Sequence, residues 1–196
     1  MSLLSDRAWI TKRCRMLAAE RLSNNNRYSQ ELITYYSFLL VVVSVISLRY
    51  SDIFKDMAGV LLVLGSIAVL IMSLVISNKN YIERSINMKR SYLEIDMICD
   101  KSIAAEKVCD DNKLNDIFFE YNKILNNTEN HSTYDYNCLC FSNRNNKSFT
   151  GKRLDLLELI ELVGNKMLRS LLVVISFLFP LFVIAYYMIT SHVGIR

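Results

Sequence analysis

Glycine and proline are scarce in this chain. Its 196 residues include five Gly and one Pro, and no two Gly lie closer than six residues apart. Rossmann and P-loop phosphate sites need clustered glycines for tight turns and close backbone approach, so both classes of nucleotide site are excluded. A hydrophobic share of 52% with so little Gly and Pro also excludes collagen and Pro-rich linkers, and it favours long helices.

Recognisable catalytic motifs are missing as well. The chain has no H-E-x-x-H, no G-x-S-x-G and no EF-hand loop, and it has only two histidines. His131 and Asp135 could support acid–base chemistry, although such a pair more often fixes a loop. Cys138 and Cys140 with His131 are a weak hint of a metal site, because zinc sites usually carry two paired knuckles. We therefore predict no enzyme activity, no cofactor and no metal; the alternative is an enzyme acting through His131, Asp135 and the cysteines.

Apolar residues are concentrated in three runs, at 32–48, 57–77 and 167–189. A bilayer core needs about 20 apolar residues in a helix, and the second run meets this length without one charge. The first run is shorter, but tyrosines flank it and would serve as interfacial anchors (Tyr35, Tyr36 and Tyr50). It lacks a cleavage pattern, so we interpret it as a retained span. The sequence predicts three transmembrane helices.

The distribution of positive charge predicts the orientation of these spans. The first 30 residues carry six Lys and Arg against two acidic residues, whereas the tail beyond the third run carries one. The positive-inside rule then places the N-terminus and the central segment in the cytoplasm, and the hairpin tip and the C-terminus outside. The predicted organisation is a cytoplasmic amphipathic basic helix at 1–30, a transmembrane hairpin at 31–77, a cytoplasmic helical module at 78–166 and a third transmembrane helix at 167–190. The fold class is an all-α membrane protein.

The basic N-terminal helix is expected to start at a Ser5 cap, to run about 17 residues and to break at Asn24–Asn26. It would lie on the membrane surface or against the helix that follows span two. That second helix is expected to continue out of the membrane as a stalk to about Ser102. A heptad stripe marks the stalk (Tyr81, Ser85, Met88, Tyr92, Ile95 and Cys99). The stripe fits packing within one chain and a seam between subunits equally well.

Further along, residues 114–125 carry the apolar face of another helix. Tyr134–Phe141 alternates weakly and is expected to be extended or irregular. A last helix is expected near Lys152 and would run into span three. Four of its apolar residues are expected to face inward (Leu156, Leu157, Ile160 and Val163).

The spans contain no Asp, Glu or Lys, which disfavours a transporter or a proton relay. They do contain small residues at seven-residue spacing, and these are the candidate functional positions in the membrane (Ser37, Ser44, Gly59, Ser66 and Ser73). Small residues permit close helix packing. They would also give a weakly polar pore wall if several copies assembled. In span three, Pro180 is expected to free the carbonyl of Ser176.

Short motifs outside the spans resemble a known family. Tyr-Ile-Glu-Arg-Ser follows span two at 81–85, Tyr-Asn-Lys-Ile-Leu occupies 121–125, and Asn130-His131 is followed by Asp135-Tyr136. This layout, over roughly residues 5–141, resembles the SLATT family of two-transmembrane effector domains associated with SMODS and SLOG proteins in bacterial conflict systems. The third span resembles a subgroup with an added C-terminal helix that is linked to reverse transcriptases. The resemblance implies a structural or signal-transmitting role for six residues (Tyr81, Arg84, Asn130, His131, Asp135 and Tyr136).

The same resemblance implies a function in anti-phage defence by abortive infection. The chain would form homo-oligomeric pores in, or disrupt, the bacterial inner membrane. Its trigger would be a cytoplasmic sensor or regulator, such as a reverse transcriptase or a nucleotide-signal protein. Direct binding of nucleic acid is not expected, since the net charge is a mild +4. The alternative is a non-enzymatic membrane anchor or scaffold that holds a defence partner at the membrane.

Overall fold

The computed structural model describes residues 4–49, 57–147 and 149–193. The hairpin tip with Tyr50, and the tail with Arg196, lie outside the described residues. The structure is 87% helical, and the described residues contain no strand, so the predicted all-α class is confirmed. In chain order the described helices are α1 (Leu4–Arg49), α2 (Met57–Asn78), α3 (Tyr81–Val108), α4 (Asp111–Asn126), α5 (Thr133–Ser142) and α6 (Leu156–Val193).

Helix α1 corrects two expectations about the N-terminus. It continues through Asn24–Asn26 without a break, because Asn inside a helix costs only a fraction of a kcal/mol, roughly up to 0.7, and both flanks are helix formers. Ser5 is not an N-cap. It lies within α1, where its N–H and hydroxyl donate to the Glu106 carboxylate at 3.0 and 2.6 Å.

The predicted stalk, a continuous helix from span two to about Ser102, is also wrong. Here the structure has a break where the sequence predicted none. Helix α2 ends at Asn78, and a turn separates it from α3. Asn80 adopts φ 47°, a left-handed conformation that Asn tolerates better than most residues. Helix α3 then passes the expected end at Ser102 and runs to Val108. The apolar run and the polar helix are therefore two separate helices, divided at Lys79–Asn80.

Two expectations near the C-terminal side are also wrong. Residues 134–141 are not extended but form α5, whose start is fixed by a capping box between Ser132 and Asp135. Helix α6 begins at Leu156, not at Lys152. The four apolar residues at its start are exposed (Leu156, Leu157, Ile160 and Val163), and Leu162 is the buried one.

The structure divides into two compact units, here called the polar unit (Met1–Asn24 with Tyr81–Asn165) and the apolar unit (Asn25–Asn80 with Lys166–Arg196). Two clusters of buried side chains form the core of the polar unit. One joins α1, α3 and α4 (Ala8, Ile95, Ile98, Cys99, Ala105, Ile117 and Tyr121), and the other joins α1 to α3 (Ala18, Ala19, Leu22 and Met88). The N-terminal part of α1 therefore packs against α3, and the heptad stripe of α3 is covered within one chain.

The apolar unit contains the three predicted runs. Three helical segments are long and apolar enough to cross a membrane, which confirms the prediction of a membrane protein. In α2, half-buried side chains recur at helical spacing and mark one seam (Leu62, Gly65, Val69, Met72 and Ile76). A Cβ at Gly65 would lie 2.7 Å from Leu40 Cδ2, so glycine permits close approach of α1 and α2 there.

Candidate functional site

One buried carboxylate joins distant parts of the polar unit. Asp135, 1% exposed, is the third residue of α5. It accepts hydrogen bonds from Arg21 Nε and Nη2 of α1 at 2.8 and 2.9 Å. It also accepts from the Ser132 N–H and hydroxyl at 3.0 and 2.7 Å. We call Arg21, Ser132 and Asp135 the Asp135 clamp, since they cap α5 and tie it to α1 at the same time.

The electrostatics of the clamp favour the charged pair. Burial raises the pKa of Asp135, but the hydrogen bonds from Arg21 and Ser132 outweigh it and hold that pKa below its ordinary value. The hydrogen bond to Asp135 raises the pKa of Arg21. A bidentate guanidinium–carboxylate pair is also geometrically specific. The clamp therefore positions α5 on α1 and remains ionised at neutral pH.

His131 lies beside the clamp, in the segment between α4 and α5. Its Nδ1 is buried and has no hydrogen-bond partner among the described residues. Burial lowers the pKa of His131; the nearby charge of Asp135 raises it, and that of Arg15 lowers it. Asp135 is thus near enough to His131 for its charge to affect the pKa of the imidazole. The hydrogen bonds described for Asp135, however, go to Arg21 and Ser132.

A second buried charge lies between α1 and α3. Arg15 is fully buried, and its Nη1 donates to the Ser91 hydroxyl. Its Nε and Nη2 have no partner among the described residues. Burial lowers the pKa of Arg15, opposed by nearby Tyr121 and Glu94. An incompletely bonded buried cation is unfavourable, so it reduces the free energy needed to separate α1 from α3.

Other contacts hold the same two helices together. Lys12 pairs with Asp96, and the Ser85 hydroxyl donates to the Ala19 carbonyl at 2.8 Å. Ser5 adds the bonds to Glu106 already described. The seam between α1 and α3 therefore combines these polar contacts with the two apolar clusters of the core.

The remaining motif residues serve mainly as links between segments. Arg84 of α3 pairs with Glu129 at 2.9 Å, and both side chains are about two-fifths exposed. Tyr81 packs against the cluster around Met88. The Tyr136 hydroxyl accepts from the Lys152 N–H at 3.1 Å. Asn130 is exposed.

Sequence reasoning missed four participants: Arg15 as a buried group, Arg21, Glu129 and Ser132. The spacing Ser-x-x-Asp at 132–135 is a capping-box pattern and was the available signal for the start of α5. Since α5 is a helix, Cys138 and Cys140 point about 200° apart and do not share a side. In the described part of the chain, no group of three or more His, Cys, Asp or Glu is placed to hold a metal ion.

In the apolar unit, Tyr35 and Tyr36 bind the backbone of α6. The Tyr36 hydroxyl donates to the Ser176 carbonyl and the Tyr35 hydroxyl to the Phe177 carbonyl, both at 2.9 Å. Pro180 has no N–H, so it leaves the Ser176 carbonyl without its helical donor. Tyr36 supplies the replacement donor in a setting where an unpaired carbonyl is costly.

The candidate small residues of the spans are not equivalent. Gly59, Ser66 and Ser73 of α2 are exposed, while Ser37 and Ser44 of α1 are half-buried. A Cβ at Gly59 would meet nothing within 4 Å. The close contact within the chain is made at Gly65 instead, which lies on the seam of α2.

The fold and these contacts define an all-α membrane protein with a polar helical unit clamped by a buried ion pair. The chain belongs to the SLATT family: the model described as SMODS and SLOG-associating 2TM effector domain family 5 matches residues 2–188. The match extends beyond the resembling region 5–141 and across the third apolar helix. No curated protein and no solved structure matches the chain. The protein is therefore a membrane effector domain of this family.

Proposed function

We propose that this chain is a non-enzymatic effector of bacterial defence that permeabilises the inner membrane as a homo-oligomer and thereby aborts infection. The observation that carries the proposal is the exposed face of α2 that contains Gly59, Ser66 and Ser73. This face is distinct from the seam, because one residue along a helix is a rotation of about 100°, and Ser66 follows Gly65.

A hydroxyl on this face suits both a resting and an assembled state. The Ser66 hydroxyl donates to the Val63 carbonyl of its own helix at 2.8 Å, so it is satisfied when it faces lipid. When several α2 helices surround water, the same hydroxyls supply a weakly polar wall without any charged group. The absence of Asp, Glu and Lys from the spans fits such a wall better than an ion-binding relay.

The polar unit would receive the trigger. The excess of Lys and Arg in the first 30 residues supports a cytoplasmic position for it. The family description supports a SMODS or SLOG protein as the kind of partner, and a reverse transcriptase or a nucleotide-signal protein would act at the same unit. Helix α1 is continuous from Leu4 to Arg49, so a partner that loosens the Asp135 clamp would act on a helix that also crosses the membrane.

The proposal is tested by expressing the chain without a partner and by following the membrane potential of the host with a voltage-sensitive dye. Depolarisation and growth arrest are expected. The double change Ser66→Leu with Ser73→Leu should abolish both while membrane insertion, followed by fractionation, is unchanged. The matched control, Ser66→Thr with Ser73→Thr, keeps the hydroxyls and should stay active. Equal depolarisation by the leucine and threonine variants would contradict a pore lined by this face.

Replacement of residues 32–77 by an unrelated transmembrane hairpin separates a pore from an anchor. We expect loss of protection against phage, because an unrelated hairpin lacks the small polar face. Full protection by this chimera would overturn the pore and favour a scaffold that only holds a partner at the membrane. A folded His131→Gln chain should remain active, since no catalytic role is proposed for His131.

A further inference from the structure

Helix α3 has a second apolar face, opposite the one that forms the core. Met88, Ile95 and Cys99 are buried against α1 and α4, and each of them is preceded two positions earlier by an exposed apolar residue. Two residues along a helix correspond to a rotation of about 200°. The exposed residues are Ile86, Leu93 and Met97, which are 51%, 50% and 60% exposed. A surface helix ordinarily keeps this side polar.

The exposed residues belong to a heptad that runs along most of α3. Positions spaced alternately by three and four residues are all exposed (Glu83, Ile86, Arg90, Leu93, Met97, Asp100, Ala104 and Lys107). This stripe spans 24 residue steps, or roughly 36 Å of helix. It is the pattern of a coiled-coil seam, and the chain itself leaves it uncovered. The heptad stripe noted in the sequence is the other face, which the core occupies.

We infer that two copies of this chain pair through this stripe with their α3 helices antiparallel. In the register we infer, the numbers of two facing residues add up to 190. Leu93 then faces Met97 of the second copy, and Ile86 faces Ala104. Arg90 faces Asp100, and Glu83 faces Lys107, so every charged layer joins opposite charges.

A parallel pairing of the same stripe would place like charges together in every charged layer, for example Arg90 on Arg90 and Asp100 on Asp100. Such juxtaposition is strongly unfavourable. Beside the antiparallel seam, Asp96 would approach Asp96 of the second copy, and Glu94 would approach Glu94 of the second copy. Each of these acidic groups has a cation of its own chain nearby, because Lys12 pairs with Asp96 and Arg15 is coupled to Glu94. The Lys79–Asn80 turn separates α3 from α2, so α3 is a helix of its own and not the end of a span. This inference rests on the proposed function, which requires a homo-oligomer, and it identifies the surface through which two copies make contact.

Charge exchange tests the register on the full chain in detergent, with self-association measured by energy transfer between differently labelled copies. Arg90→Asp and Asp100→Arg should each weaken association about tenfold or more, because each creates like-charge layers. The double variant should restore it, since Asp at 90 then faces Arg at 100. Asp116→Arg on α4 is the matched control for a charge reversal on an exposed helix. Failure of the double variant to restore association, or unchanged association in both single variants, would overturn the pairing.

Cross-linking in intact membranes gives the second readout. Differently tagged copies carry Leu93→Cys or Met97→Cys, with the exposed Cys109 changed to Ser. Cross-links between positions 93 and 97 should dominate over 93–93 and 97–97 products. Dominant 93–93 or 97–97 products would overturn the antiparallel register, and the lack of any product would overturn the interface. Depolarisation that persists without cross-links contradicts this interface alone, whereas cross-linked copies that leave the membrane potential unchanged contradict the pore alone.

Discussion

Removal of the charge from Asp135 should loosen the attachment of α5 to α1. The change Asp135→Asn keeps the shape of the side chain but removes its charge, and it replaces one of the two oxygens that accept from Arg21 and Ser132 with an NH2 group that can only donate. Asp135 is 1% exposed, so the pair is buried on one side, while the Arg21 side chain is 22% exposed. The substitution leaves a half-buried guanidinium without its counter-charge.

The expected loss of stability follows from that burial. Removing one partner of a fully buried ion pair costs about 3–5 kcal/mol, and fully exposed pairs contribute about 0–1 kcal/mol. Because water can reach Arg21 in part, we expect about 2–3 kcal/mol for Asp135→Asn. In a double-mutant cycle with Arg21→Met, the coupling energy should be about 2 kcal/mol.

The chain offers its own probe and its own control. Trp9 is the sole tryptophan; it packs on the α1–α3–α4 core, and its ring lies 6.2 Å from that of Phe149. Urea unfolding of the detergent-solubilised chain, followed by its fluorescence, therefore reports on the polar unit. The exposed Arg84–Glu129 pair, whose N–O distance is 2.9 Å against 2.8 Å for Arg21–Asp135, should give a coupling below about 1 kcal/mol. A coupling for Arg21–Asp135 no larger than that of the exposed pair would refute the assignment of Asp135 as a clamp.

Three further outcomes are expected. The urea midpoint of the native chain should fall as the pH drops below 6.5. Burial holds the pKa of His131 in the folded chain below that value, so the unfolded chain takes up the proton first. The decline should be absent in His131→Gln. Gly65→Leu should lower the thermal aggregation midpoint in detergent, because overpacking costs about 1–3 kcal/mol of stability. Gly59→Leu should leave the midpoint unchanged, because a Cβ at Gly59 meets nothing within 4 Å. Tyr36→Phe should destabilise the apolar unit by about 0.5–1.5 kcal/mol in the same assay, and much less in a Pro180→Ala background, where the helix itself supplies the donor.

The features that the sequence predicted well are those set by composition over long stretches. The three apolar runs and the all-α class follow from composition and length, and the packing of the N-terminal helix on α3 is one of the two arrangements that the sequence left open. The errors lie at boundaries, where single residues decide. Asn24–Asn26 were expected to break a helix and do not, whereas Asn80, which was expected to lie inside a continuous helix, adopts the left-handed conformation that separates α2 from α3. Propensity is too weak to separate these cases, because neighbouring packing outweighs it.

The candidate site was located by family resemblance and explained only by the structure. His131, Asp135 and Tyr136 were named from their motif, but the partner of Asp135 is Arg21, which lies 114 residues away in the chain. No periodicity links the two positions. Arg15 illustrates the same limit, since only the structure shows this charged side chain fully buried and bonded to Ser91, 76 residues away in the chain.

The balance of contacts in the polar unit fits an effector that must stay inactive until it is triggered. The Asp135 clamp and the bonds of Ser5 and Lys12 make the docking of α1 geometrically specific. Arg15 works against them, because its Nε and Nη2 are buried without a partner among the described residues, and an apolar side chain of similar size would be more stable there. Specific docking with a reduced stabilising free energy would let the proposed partner separate α1 from α3 with an ordinary affinity, since a ligand can shift such an equilibrium only by its differential binding energy.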